Sequence, residues 1–341
     1  MNNAVSTTSR PPRTRVRPRA CASLSTDCSV FDRLLPTETL LFSGDTAAAG
    51  TFACPTDNPL FGGGMPSTAH CIVFSRTPVW IQHEGAPWYV ADPTVVTFHS
   101  RGRAYRRRRV SDAGDRCDWI ALRDDVVRDA LRTWSPAAAD ADPVRFPHQC
   151  AVAAVSLYAH QRRVFDRLAR GECDGLAVEE HASALLRDAL AVAFGRNSRE
   201  ALTSQDAVQH AREIIARDPG ASVRLTELAH RAGLSPFQLC RAFVRVCGET
   251  MTAYRLRLRL LTSLEPLSAG GDLTSIALAL GFSSHSHFTA AFRRAFGTPP
   301  SRLRGAGRHS RGAIANSSAT AGPTTFVRRS TRRRSAAAAA R

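Results

Sequence analysis

One pattern occurs twice within residues 224–304, and it restricts the fold more than any other feature of the chain. The first copy, LTELAHRAGLSPFQLCRAFVRVCG, covers 225–248; the second, LTSIALALGFSSHSHFTAAFRRAFG, covers 273–297. Leu225 matches Leu273, Leu228 matches Ile276, Ala229 matches Ala277, Gly233 matches Gly281 and Ser235 matches Ser283. The second copy then carries one extra residue before Leu239 realigns with Phe288, Phe243 with Phe292 and Gly248 with Gly297. Two copies are too few for a solenoid and predict two equivalent small modules instead.

Each copy reads as a short helix, a tight turn and a longer helix. Leu225, Leu228 and Ala229 lie at helical spacing, and Gly233 stands where a left-handed residue ends the helix. Ser235 then caps a second helix, and Pro236 takes its first position, where a missing N–H is no loss. Leu239, Phe243 and Val246 are expected to face inward, with Gly248 closing the helix. In the second copy Asp272 caps the first helix, Gly281 turns the chain, and Ser283 or Ser284 caps a helix whose Phe288, Phe292 and Phe296 face inward. Helix, Gly-containing turn, helix is the helix-turn-helix pattern. Packing alone would also satisfy it, so charge has to decide.

Residues 221–304 hold eleven Arg against four acids, an excess of seven positive charges. Arg241 and Arg245 fall on the polar face of one second helix, Arg293 and Arg294 on that of the other. A cationic helix presented in this way is the footprint of a duplex DNA reader.

The stretch GFSSHSHFTAAFRRAFGTPPSRLR resembles the carboxyl-terminal signature of AraC/XylS-type transcriptional regulators, through Gly281, Phe282, Phe288, Phe292, Phe296, Gly297, Pro300 and Arg304. The first module and the connecting YRLRLRLL are also similar to that family. Three positions depart from it: Arg224 where a cap such as Ser is usual, Pro266 interrupting the end of the linking helix, and Ala290 where a longer polar side chain is common. The resemblance implies recognition helices in successive major grooves, roughly 34 Å apart. Base-contact candidates are Phe237, Gln238 and Arg241 in one helix and His285, Ser286 and Thr289 in the other. Gln suits adenine, Arg suits guanine, and Phe can pack on a thymine methyl. Arg245, Arg293 and Arg294 are phosphate-contact candidates that would fix register. Phe237 could instead close the small core, and His285 and His287 could serve the turn.

The net charge of the chain is +17, every basic residue is Arg, and residues 31–220 carry a net −2, so the cationic charge lies outside the middle. Residues 1–30 and 305–341 are rich in Ser, Thr and Arg without periodicity, and are expected to be disordered basic tails. The nine Cys show no CxxC pairing and no metal-ligand spacing, which fits reduced thiols in the cytoplasm; a redox role for Cys240 and Cys247 is the minor alternative. No stretch reaches the roughly 20 apolar residues that span a bilayer, so no membrane partner is expected.

Residues 31–150 carry strand signals: HCIVFSR, VWIQHE, WYV, VVTFH and CDWIAL, punctuated by Gly, Pro and Asp. They suggest a small barrel or sandwich, and the stretch from YVADPTVVTFH to GDRCDWIAL is similar to the cupin-like sensor half of some AraC-type regulators. The resemblance implies a barrel that binds a small-molecule effector or supports dimerisation. His70, His83 and His99 lack the His-x-His spacing of a metal cupin, and FGGGMP at 61–66 reads as a surface loop. The Arg run at 106–109 reads as a solvated strand edge.

Residues 151–204 turn helical, with two amphipathic segments that suit either a dimer interface or packing on the barrel. GRNSREALTSQ at 195–205 reads as a polar linker, and a helix from 206 opens the DNA-binding domain of 205–304. The expected architecture is thus α+β and multidomain: an N-terminal cupin-like β-barrel, a helical linker, and a C-terminal all-α domain with two helix-turn-helix modules. The function expected is a cytoplasmic, bacterial, sequence-specific transcription regulator with double-stranded DNA as partner, RNA polymerase if it activates, a small-molecule effector and a homodimer. No cofactor, metal or catalytic residue is expected. Two other readings stay open: a cupin-type enzyme fused to a DNA-targeting module, and a nonspecific nucleoid-type binder.

Overall fold

The computed structural model describes residues 37–195 and 202–304. The tails expected at 1–30 and 305–341, and the centre of the polar linker, lie outside the described residues. Two compact units result. One holds the described residues up to Asp218 together with Val223–Leu258; the other holds Pro219–Ser222 and the described residues from Arg259 onward.

The first part is β-rich. In chain order it contains β1 (Glu38–Ser43), β2 (Ala47–Cys54), β3 (Gly63–Pro66), β4 (His70–Ser75), β5 (Val79–His83), β6 (Tyr89–Ala91), β7 (Val95–His99), β8 (Ala104–Arg109) and β9 (Asp115–Leu122). Helices α1 (Asp124–Arg132) and α2 (Pro136–Ala139) follow, and then β10 (Cys150–Val152). The strands form two sheets, of order β1-β2-β9-β4-β7-β10 and β3-β8-β5-β6. Neither sheet closes, so the expected cupin-like barrel is corrected to two open sheets packed face to face around Phe52, Val73, Val79, Ile81, Tyr89 and Trp119. One cause is local: β6 ends after three residues because the Asp92 carboxylate accepts from the Thr94 N–H (2.8 Å) and hydroxyl, turning the chain out of the sheet.

Both faces of the larger sheet are covered at β7, which is why that strand has no exposed residue. On its outer side lies α3 (Val155–Ala169), fastened by polar groups as well as by packing. Asp118 of β9 is fully buried and accepts from Gln161 (2.7 Å) and Arg162 (3.1 Å), with Arg76 at 2.6 Å; the Tyr158 hydroxyl donates to the Ser75 carbonyl (2.9 Å). Helix α3 thus packs on the larger sheet. Helix α4 (Gly175–Phe194) lies beside it, and its Glu179 accepts from the Thr46 N–H (2.9 Å).

Several local expectations are corrected. Residues 151–153 were expected to be helical, but Cys150–Val152 pairs with β7, tertiary pairing overriding the helical period. Part of FGGGMP is strand, because Gly63 and Pro66 pair with β8; Gly63 has a φ of +73°, and a Cβ there would stand 3.0 Å from the Tyr105 carbonyl oxygen, so the position needs glycine. The Arg run is no sheet edge: β8 lies between β3 and β5. Its Arg107 is buried against Asp115 (3.0 Å) and the Phe52 ring, and Arg108 stacks on Trp80 and Trp88. Helix α1 was missed, although Val127 and Leu131 sit one turn apart with acids in the first turn and Arg132 in the last.

The second part is helical: α5 (Leu202–Arg217), α6 (Leu225–Arg231), α7 (Pro236–Cys247), α8 (Met251–Ser268), α9 (Leu273–Ala279), α10 (His285–Phe296) and a short 3-10 turn, Pro300–Arg302. Helix α5 starts within the stretch read as linker. Pro266 does not end α8; the last turn persists because the N–H groups of Ala269, Gly270 and Gly271 bond the carbonyls of Glu265, Leu267 and Pro266.

Candidate nucleic-acid interface

The two copies of the repeat become two helix pairs, α6–α7 and α9–α10. Their turns are built as the sequence predicts. Gly233 and Gly281 have φ of +68° and +71°, and Gly248 and Gly297, which close the longer helices, have +72° and +74°. Ser235 caps α7 in a reciprocal box: its hydroxyl accepts from the Gln238 N–H (3.2 Å), and the Gln238 side-chain oxygen accepts from the Ser235 N–H (3.0 Å). Ser284, not Ser283, caps α10, accepting from the His287 N–H (3.1 Å). Asp272 caps α9, and that bond from the Ser275 N–H (2.8 Å) holds its carboxyl below the usual value. Arg224 gives α6 no side-chain cap.

Inward faces fix the outward ones. In α7, Leu239, Ala242, Phe243 and Cys247 are buried, with Val246 packed beside them. They share one core with Val208, Ala211 and Ile215 of α5, Tyr254 and Leu258 of α8, and Trp80, Val90 and Val110 of the smaller sheet and its flank. In α10, Phe288 and Phe292 are fully buried, and the rings of Phe282, Phe288, Phe292 and Phe296 contact in sequence at 4.2–5.6 Å between centroids. This burial leaves Phe237, Gln238, Arg241 and Arg245 exposed on α7. Phe237 is 69% exposed, which excludes the core-closing role. The Arg241 guanidinium lies 5.5 Å from the centre of its ring.

On α10, His285, Ser286, Thr289, Ala290, Arg293 and Arg294 line one open depression of about 660 Å3. The structure thus brings all five of the residues predicted for this helix onto a single face. His285 Nε2 lies 3.3 Å from the Thr289 hydroxyl, and His287 Nδ1 lies 3.1 Å from the Ser283 hydroxyl. Sequence reasoning missed Val244, an apolar residue 45% exposed beside Arg241 and Arg245; its place seven residues after Phe237, on the same helical face, was the available signal.

Not every Arg in the repeat region is available to an anion. Arg257 donates to the Ala153 carbonyl and pairs with Glu249, while Arg259 donates to the carbonyls of Pro219 (2.6 Å) and Gly281 (2.9 Å). Arg231 lies 3.7 Å from Glu227. The Cys247 thiol is pushed up to about 11 by burial, which disfavours the thiolate a redox switch would need. Elsewhere, His83 Nε2 and His99 Nδ1 meet at 3.2 Å between the sheets, and no group of three or more metal-ligating side chains occurs among the described residues.

A helix-turn-helix domain family matches residues 228–306. The probable transcription factor PqrA of Proteus vulgaris is 33% identical over 83 residues, which are 24% of this chain and 68% of that protein. The HTH-type transcriptional activator RhaS of Pectobacterium carotovorum is 41% identical over 78 residues, 23% of this chain and 28% of its own length. Against RhaS, then, the chain spans under a third of the relative. A crystal structure of a transcriptional regulator with an AraC-type DNA-binding domain from Chromobacterium violaceum is 29% identical, covering 30% of this chain and 92% of that one, with a TM-score of 0.29.

Proposed function

Because the chain belongs to the AraC/XylS family of transcription regulators, we propose that it is a sequence-specific DNA-binding regulator whose β-rich part receives an effector or a partner. The observation that carries the reading is the pair of outward faces on α7 and α10. Each is left open by burial of its own apolar stripe, and the repeat makes one exposed Arg equivalent in the two, Arg245 and Arg294. The candidates for base contact are Phe237, Gln238 and Arg241 on one helix and His285, Ser286 and Thr289 on the other, and Arg245, Arg293 and Arg294 are the candidates for phosphate contact. The paired open sheets take the place of the cupin-like sensor barrel. As an activator the protein would contact RNA polymerase, as a homodimer it would occupy paired sites, and it would work in the cytoplasm without catalysis.

Gel-shift titration of the full chain tests the assignment. Arg241→Ala is expected to cost about 1–3 kcal/mol and to relax preference at one base pair. Arg293→Ala is expected to weaken all sequences alike and to flatten the dependence on salt. Unchanged affinity and preference in the first variant, or a loss confined to one base in the second, contradicts these roles.

A further inference from the structure

We propose that sequence preference is concentrated in one stacked pair, Phe237 and Arg241 of α7, which reads thymine and guanine on adjacent base pairs, while α10 chiefly holds the backbone. The proposal rests on the DNA-binding reading above and adds which side chains discriminate and what they discriminate.

The pair is prepared before DNA arrives. Arg241 stands four positions after Phe237, so the two lie one turn apart on the same face. The guanidinium lies 5.5 Å from the ring centroid, within cation–π range. A long side chain already held against a ring loses less freedom when its fork engages guanine O6 and N7. The ring itself is 69% exposed. A Phe left so far in water gains when the complex covers it, and the apolar edge it can meet in the major groove is the C5-methyl of thymine. Stacking brings the two groups together, so they fall on neighbouring base pairs.

The other side chains are committed elsewhere. Gln238 needs both its oxygen and its amide nitrogen to read adenine, but its oxygen already accepts from the Ser235 N–H at 3.0 Å. On α10 the repeat puts Ser286 opposite Phe237 and Ala290 opposite Arg241, so the matching positions carry neither ring nor fork. His285 and His287 each bond a hydroxyl of their own module, Thr289 and Ser283. What α10 keeps is Arg293 and Arg294 at its exposed rim, suited to phosphate.

The test selects binding sites for the full chain from a random duplex pool and then edits single atoms of the preferred site. Replacing the guanine by 7-deazaguanine removes N7 and is expected to weaken wild type about tenfold. Replacing the thymine by deoxyuracil removes one methyl and is expected to weaken it about fourfold. Arg241→Ala should no longer respond to the first edit, nor Phe237→Ala to the second. Both residues are exposed, so both variants are expected to fold. Variants that keep the wild-type response to both edits overturn the proposal, as does a selected site whose preference is abolished by Thr289→Ala and not by either α7 variant. If the wild-type chain enriches no motif at all, the DNA-binding reading falls as well; a motif uncoupled from α7 overturns this proposal alone.

Discussion

His83 and His99 show what a buried polar residue contributes here. Their ring nitrogens meet at 3.2 Å between the two sheets, and His83 Nδ1 has no hydrogen-bond partner among the described residues. Burial, helped by Arg103, holds His83 down at about 4, and burial with its neighbours His83 and Arg107 holds His99 well below the usual value. Both rings are therefore neutral at pH 7. An unfolded His binds its proton near pH 6.5, so between pH 6.5 and about 4 the unfolded chain takes up more protons than the folded one. Stability is fully present above pH 6.5 and falls as the pH drops through that window, by up to about 3 kcal/mol for His83 at roughly 1.4 kcal/mol per pH unit. Urea titrations between pH 7 and 4.5 should show the decline, and His83→Gln should make it shallower, with buried His70 and His99 sustaining the rest; an equal slope in that variant would place the dependence elsewhere. Asp92 acts at lower pH in the same direction: burial raises its carboxyl, but Arg212 at 2.7 Å, together with bonds from Thr94 and Tyr254, outweighs that and holds it below the ordinary value.

At the scale of elements, the two repeat turns give a paired comparison. Gly233 and Gly281 have nearly the same φ, +68° and +71°, in equivalent turns. A Cβ at Gly233 meets nothing within 4 Å, whereas one at Gly281 would stand 2.3 Å from the Gly220 carbonyl and 2.7 Å from the Arg259 guanidinium. Gly233→Ala should cost about 1–2 kcal/mol, the left-handed penalty alone. Gly281→Ala adds a backbone clash, and its thermal unfolding should fall well below that of Gly233→Ala; equal melting temperatures would refute the close approach. These turns, their caps and the inward Phe residues were legible because each depends on residues within one turn of helix. The exposed face followed from them, with Phe237 left open until burial was known. The sheets were legible only where β-branched or aromatic residues alternate, as in β4, β5 and β7. Residues 47–49 of β2 are Ala, without strand propensity; they pair with β9 all the same, Ala48 packing in the core between the sheets and its neighbours beside Phe165, Val178 and Ala182. The register and openness of the sheets arise from pairings far apart in sequence, such as β2 with β9, which no local pattern specifies.

The whole molecule is divided differently from the boundary near residue 205 that composition suggests. The first helix pair shares a core with the smaller sheet, and polar ties reinforce it: the Val90 N–H donates to Gln209 (2.9 Å), the Tyr254 hydroxyl to Asp92 (2.6 Å), and Arg217 to the Val110 carbonyl (2.9 Å). The β6 strand makes this continuity concrete: Tyr89 and Ala91 belong to the core between the sheets, and Val90 to the core around α7. The core between the sheets thus adjoins the core of the first helix pair through one strand, a continuity that composition does not reveal. Trp80 is the test of that continuity. It is 2% exposed, belongs to the α7 core and meets His210 edge-on at 5.8 Å. Trp80→Ala should cost about 3–5 kcal/mol if the core is common, and amide exchange should quicken in α5 and α7 although neither is altered in sequence. Helix α10, in the other compact unit, serves as the internal control and should keep its protection. Faster exchange confined to the strands would mean that the helix pair stands on a core of its own.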